Sequence, residues 1–131
     1  MNSGGAEGVT FADLATLTSD FAFETGTCGN GTPRFVIYFE TEICTPIAQF
    51  PASSGCGVPN ATGNMGNLIG NNTPPVWVIL CQGSGNTIST YDEVLALYAS
   101  EVIVQVALVV DPSNGAQTVT VNPCVKVVPS A

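Results

Sequence analysis

The feature that most constrains this chain is a series of short stretches in which apolar residues alternate with polar ones or run together as β-branched and aromatic residues, separated by Gly, Pro and Asn. Successive side chains of a strand point to opposite faces, whereas a helix needs apolar residues three and four apart. Leu17, Ser19, Phe21 and Phe23 share one side of such a stretch, and Thr18, Asp20, Ala22 and Glu24 the other. This predicts a half-buried strand, preceded by a short helical turn at Thr10-Phe11-Ala12-Asp13. Residues 34–40 and 76–81 predict two more strands, the second entered through Pro74-Pro75, which extends the chain. Residues 102–110, with Gln105 as the one polar member, read as a central strand covered on both faces. Asp111-Pro112-Ser113-Asn114-Gly115 has turn chemistry, and 117–121 alternates strictly, so a hairpin with the preceding strand is expected. Asn122-Pro123 should break it, leaving 124–128 as a last short strand.

One segment carries helix signals. Thr90-Tyr91-Asp92-Glu93 has the Thr-x-x-Glu pattern of a capping box, and Val94, Leu95, Leu97 and Tyr98 supply an apolar face. Residues 45–72 read as one long loop. The expected fold is mainly β: an antiparallel β-sandwich, jelly-roll-like, with one short helix near residues 91–99. A single domain over 9–128 is expected between an N-terminal tail, 1–8, and a C-terminal tail, 129–131.

Charge decides which functions remain. The chain has 2 basic and 10 acidic residues, no histidine and a net charge of −8. No basic patch can neutralise phosphates, so nucleic acid is excluded as a partner. Without imidazole there is no Ser-His-Asp or Cys-His relay and no histidine-ligated zinc, and no cofactor or metal is expected. Charge is absent between Glu42 and Asp92. The apolar runs there are far shorter than the ~20 residues that span a bilayer, so membrane insertion is not expected. A surface that stays independently soluble rarely goes that long uncharged. This uncharged middle is therefore the predicted contact surface, for a ligand or for another copy.

Cys28, Cys44, Cys56, Cys81 and Cys124 form no C-x-x-C pair, which favours disulfides over a metal or redox motif. Cys44 with Cys56 is the first pairing expected, closing a short loop worth roughly 3 kcal/mol in the chain-entropy model. Cys28 with Cys124 is the second. Cys81 would then be left over, as a buried thiol or a bond to another chain. Asn30, Asn60 and Asn71 begin Asn-x-Thr sequons in polar stretches and are candidate glycosylation acceptors, against chance occurrence in an Asn/Thr-rich chain. Met1-Asn2-Ser3-Gly4-Gly5 has no signal-peptide pattern, so the sequence reads as a mature or trimmed chain. Disulfides and sequons together predict a secreted or cell-surface protein.

Candidate site residues have plainer alternatives. Arg34 can clamp Asp111 or Glu24, or simply form an edge charge. Glu40 and Glu42, about 7 Å apart on one strand side, suit a retaining carboxylate pair or one edge of a calcium site, but also an edge strand protected by charge. Capping explains Asp92 and Glu93, and turn formation explains Asp111. Trp77, Tyr38, Tyr91 and Tyr98 can offer stacking faces to a sugar, although core packing accounts better for Trp77 and Tyr98. The loop amides Asn60, Asn64, Asn67, Asn71 and Asn72, with Trp77, are the candidate ligand-binding residues, since amides hold neutral polar ligands.

Four stretches, 12–21, 26–35, 62–69 and 104–111, carry a resemblance of the whole chain, with Cys28-Gly29-Asn30-Gly31-Thr32-Pro33-Arg34-Phe35 the most distinctive piece. The chain resembles a group of small secreted bacterial proteins, mostly uncharacterised, that carry a jelly-roll sandwich. It departs from that group in its near absence of charge and in an abbreviated region around Trp77. The resemblance implies fold and secretion and brings no activity with it. The function expected is a non-catalytic extracellular module for surface or carbohydrate recognition and adhesion, whose partner is a neutral polar surface or glycan. The alternative is a self-assembling subunit of an extracellular filament or surface layer, whose partner is its own copy. A carboxylate-dependent glycoside hydrolase stands well behind both.

Overall fold

The alternation at the start of the chain becomes a long strand, β1 (Leu14–Thr25), that buries Leu17, Ser19, Phe21 and Phe23 and turns Asp20 and Glu24 outward. The computed structural model describes residues 7–28, 32–40, 43–51, 54–83, 85–110 and 117–128. A 3-10 turn at Phe11–Asp13 precedes β1, as the sequence predicts. The further elements are β2 (Arg34–Phe39), β3 (Cys44–Gln49), β4 (Thr62–Asn64), β5 (Trp77–Cys81), β6 (Gly85–Ser89), α1 (Tyr91–Tyr98), β7 (Ile103–Val109) and β8 (Thr118–Val127). They form an antiparallel β-sandwich of a three-stranded sheet, β4-β1-β8, and a five-stranded sheet, β6-β5-β3-β2-β7.

The core lies between the sheets. Phe35, Ile37 and Phe39 of β2 point into it, with Ala48 of β3, Trp77 and Ile79 of β5, and Ile103, Val106 and Leu108 of β7. From the other sheet come Leu17, Phe21 and Phe23, with Val119, Val121, Val125 and Val127 of β8 partly buried against them. Phe11 meets Phe39 and Trp77 edge-on, at 6.1 and 5.8 Å between ring centroids, so the turn before β1 plugs one end.

Four expectations change. β7 is an edge strand, not a central one, and the apolar run is explained because its start is covered by the segment before β1: Gly8 N donates to Ile103 O and Ile103 N to Val9 O, each at 2.8 Å. β7 and β8 are no hairpin, since they pair with β2 and β1 in opposite sheets. The turn expected at 111–115 lies outside the described residues. β8 runs unbroken through Pro123, which an edge strand tolerates where the missing N–H would face away from the ladder. Within 45–72, β3 and β4 replace the single loop; Pro46 sits inside β3 opposite Ile79.

The disulfides are Cys28–Cys56 and Cys44–Cys81, not Cys44–Cys56 and Cys28–Cys124. Cys44 and Cys81 are direct partners across β3 and β5, with Cα atoms 4.1 Å apart. Cys28 N also donates to Cys56 O at 2.9 Å, so the backbone and the disulfide join the same two turns. Cys124 is the free cysteine, half-buried on β8, in the place predicted for Cys81.

Candidate functional site

The outward positions of the five-stranded sheet follow from the same alternation. With Phe35, Ile37, Ala48, Trp77 and Ile79 facing the core, Val36, Ile47, Val78 and Ile88 must face away. Register aligns them: Ala107 opposes Val36, Val36 opposes Ile47, Ile47 opposes Val78 and Val78 opposes Ile88. The result is one apolar row across all five strands. Val36, Ile47 and Val78 form a second apolar cluster, flanked by Leu80 and Val109, and only 5–6% of each is exposed. Ile88, at the β6 end of the row, is 63% exposed.

Two adjoining hollows open on this face. The larger, about 500 Å³, has Ile47, Val78, Leu80, Pro75 and Ile88 as its apolar lining, and Arg34, Gln49 and Asn86 as its polar lining. The smaller, about 270 Å³, shares Arg34 and Leu80 and is lined further by Val36, Tyr38, Ile43, Thr45, Cys81 and Gln82. Together they make a trough with Tyr38 toward one end and Asn86 toward the other. Gln49 is held in place by its side-chain Nε2, which donates to Pro75 O at 2.9 Å. Among the described residues the lining holds no carboxylate, and its cysteine is disulfide-bonded. Such a surface can hold a neutral ligand with an apolar side.

Of the candidate residues named from sequence, Arg34 and Tyr38 line the trough, whereas the expected ligand-binding residues fall elsewhere. Trp77 is fully buried against Phe11 and Tyr91, and its indole N–H donates to Leu68 O at 2.9 Å, so no face remains for a ligand. Tyr91 and Tyr98 are also buried, which leaves Tyr38, 40% exposed, as the tyrosine with an open face. The loop amides are engaged in the fold. Asn64 donates to Asp20 Oδ1 and its Oδ1 accepts from Gly66 N and Thr18 Oγ1. Asn67 donates to Ala15 O, and its Oδ1 accepts from Leu17 N and Ile69 N. Asn71 Oδ1 accepts from Thr73 N, and Asn72 Oδ1 from Asp92 N. These contacts stitch the 64–72 segment to β1 and α1. Asn60 is exposed, at a positive φ of 59°, and is not among the residues that line the trough.

Asp92 and Glu93 begin α1 inside the expected capping box: Glu93 N donates to Thr90 Oγ1 at 3.1 Å and Thr90 N to Glu93 Oε1 at 2.9 Å. Glu40 is exposed just after β2, while Glu42, Asp111 and the sequon residue Asn30 lie outside the described residues. Among the described residues no group of three or more His, Cys, Asp or Glu is placed to hold a metal ion. No helix among them is long and apolar enough to cross a membrane.

The uncharged middle of the sequence is the part of the prediction that meets the trough. β3, β5 and β6 all come from it and are neighbours in the sheet. The trough lining was not found residue by residue, although a signal existed: β2 and β5 are apolar at both parities, as strands with two covered faces are. Compared with protein-family models, curated proteins and solved structures, the chain matches none.

Proposed function

We propose that this protein is a non-catalytic extracellular recognition module that holds a neutral, partly apolar polymer, a glycan strand or surface chain, along the trough of the five-stranded sheet. The observation that carries this reading is the register-aligned apolar row bordered by Tyr38, Arg34, Gln49 and Asn86. Sugar rings have an apolar face that stacks on an aromatic ring and hydroxyls that pair with amides and guanidinium. Two disulfides support a place outside the reducing cytosol. A glycan array, followed by titration of the strongest hit with and without calcium, tests the proposal. Binding should fall at least tenfold in Tyr38→Ala. Absence of any signal above background from folded protein sinks it.

A further inference from the structure

We infer that the free edge of β6 pairs with β6 of a second copy in an antiparallel, two-fold arrangement centred on Thr87, which joins the troughs of the two copies into one surface. This stands independently of what the trough holds.

Backbone polarity gives the register. At the two ends of the β3–β5 ladder, Gln49 N donates to Val76 O at 2.8 Å and Gln82 N to Ile43 O at 3.5 Å. Bonded and unbonded pairs alternate along an antiparallel ladder. Ile47 with Val78 and Thr45 with Leu80 are then bonded pairs, and Cys44 with Cys81 and Pro46 with Ile79 the unbonded ones between them. Pro46 agrees, having no N–H to give. Trp77, Ile79 and Cys81 therefore direct their backbone groups to β6, where they meet Ser89, Thr87 and Gly85. That leaves the N–H and C=O groups of Asn86 and Ile88 directed at an edge that pairs with no other strand among the described residues.

Two such edges are self-complementary. With Asn86 of one copy opposite Ile88 of the other, and the reverse, four hydrogen bonds form and Thr87 meets Thr87 on the axis. Asn86 and Ile88 are exposed and line the larger hollow, so the paired edge continues that surface into the second copy.

A second copy is the occupant that charge and edge design both favour. A net charge of −8 makes most approaches between copies repulsive, but β6 lies in the segment without charge. Asp92 and Glu93 lie beyond the end of β6, on α1. Natural edges are blunted by charge, proline, shortness or cover. β7 is covered at its start by Gly8 and Val9, β4 is three residues long, and β8 carries Pro123 and Lys126. Gly85–Ser89 contains no charge and no proline.

Two measurements in a Cys124→Ser background test this. Sedimentation across a concentration series should show a monomer–dimer equilibrium with nothing larger, and Ile88→Lys should weaken the dimer at least tenfold. Thr87→Cys, at an unbonded pair on the axis, should oxidise to a covalent dimer at least tenfold faster than Ser100→Cys, an exposed control on the far side of α1. A protein that stays monomeric at millimolar concentration, species beyond the dimer, or equal cross-linking of the two cysteine variants would each overturn the pairing.

Discussion

At the scale of single residues, this chain uses polar side chains chiefly to finish its own backbone. Ser19 is fully buried, donates to Asp20 O and accepts from Asn122 N, so a hydroxyl in the inward row of β1 bridges to β8. Gln117 donates to Thr27 O at 2.6 Å and accepts from Thr32 Oγ1, tying the turn after β1 to the start of β8. Sequence reasoning assigned the loop amides to a ligand because an Asn in a loop looks the same whether it serves the chain or a partner; only the position of Ala15, Leu17 and Asp20 beside them decides. Tyr91 gives a prediction at this scale. Burial, and then the carboxylate of neighbouring Asp92, raise its phenol above the ordinary 10.0. The unfolded chain ionises first, so above about pH 10 the folded state binds more protons and stability falls as pH rises. The contribution is complete below that pH and is lost as pH climbs toward the folded value. Denaturation measured at about pH 9 and pH 11 should show a smaller alkaline loss for Tyr91→Phe than for the wild type. Parallel losses would mean that Tyr91 does not carry the effect.

Elements were legible where one physical signal dominated. β1, β2, β5 and α1 fall within a few residues of their expected bounds because alternation, β-branched runs and a capping box each act locally. β3 was hidden by Pro46, whose cost vanishes only at a position where no N–H is wanted, a fact of pairing rather than of sequence. β6 was hidden because an edge strand with four exposed residues has little apolar pattern to show. The eight-residue α1 is short enough to need its cap, because a helix of that length gains little from propagation. Thr90→Ala should lower unfolding free energy by about 1 kcal/mol in urea denaturation. Glu93→Gln keeps the reciprocal bond to Thr90 N and should change it by no more than a few tenths. An unchanged unfolding free energy in Thr90→Ala would show that the Thr90 cap does not hold α1.

The molecule as a whole shows why the disulfides could not be read from spacing. Loop closure favours near neighbours in sequence, but the sulfurs join residues that sheet order has already placed together. Once β3 is recognised beside β5, Cys44 and Cys81 are opposite one another, and the pairing of Cys44 with Cys56 is closed off. Cys44, Cys56 and Cys81 all lie in the uncharged middle, where no ion pair within the segment can fix its strands and turns. Covalent bonds do so instead, and β3, β5 and β6 carry no charged residue. The sequence separations are 28 and 37, for which the chain-entropy model gives roughly 3.5–4 kcal/mol per bond. Replacing Cys44 and Cys81 together by Ala should lower stability by about that amount and weaken the glycan binding proposed for the trough, since Cys81 is part of its lining. Cys28→Ala with Cys56→Ala should cost similar stability and leave the trough intact, because neither residue contributes to it. Non-reducing peptide maps that joined Cys44 to Cys56 would refute this division of labour at its first step.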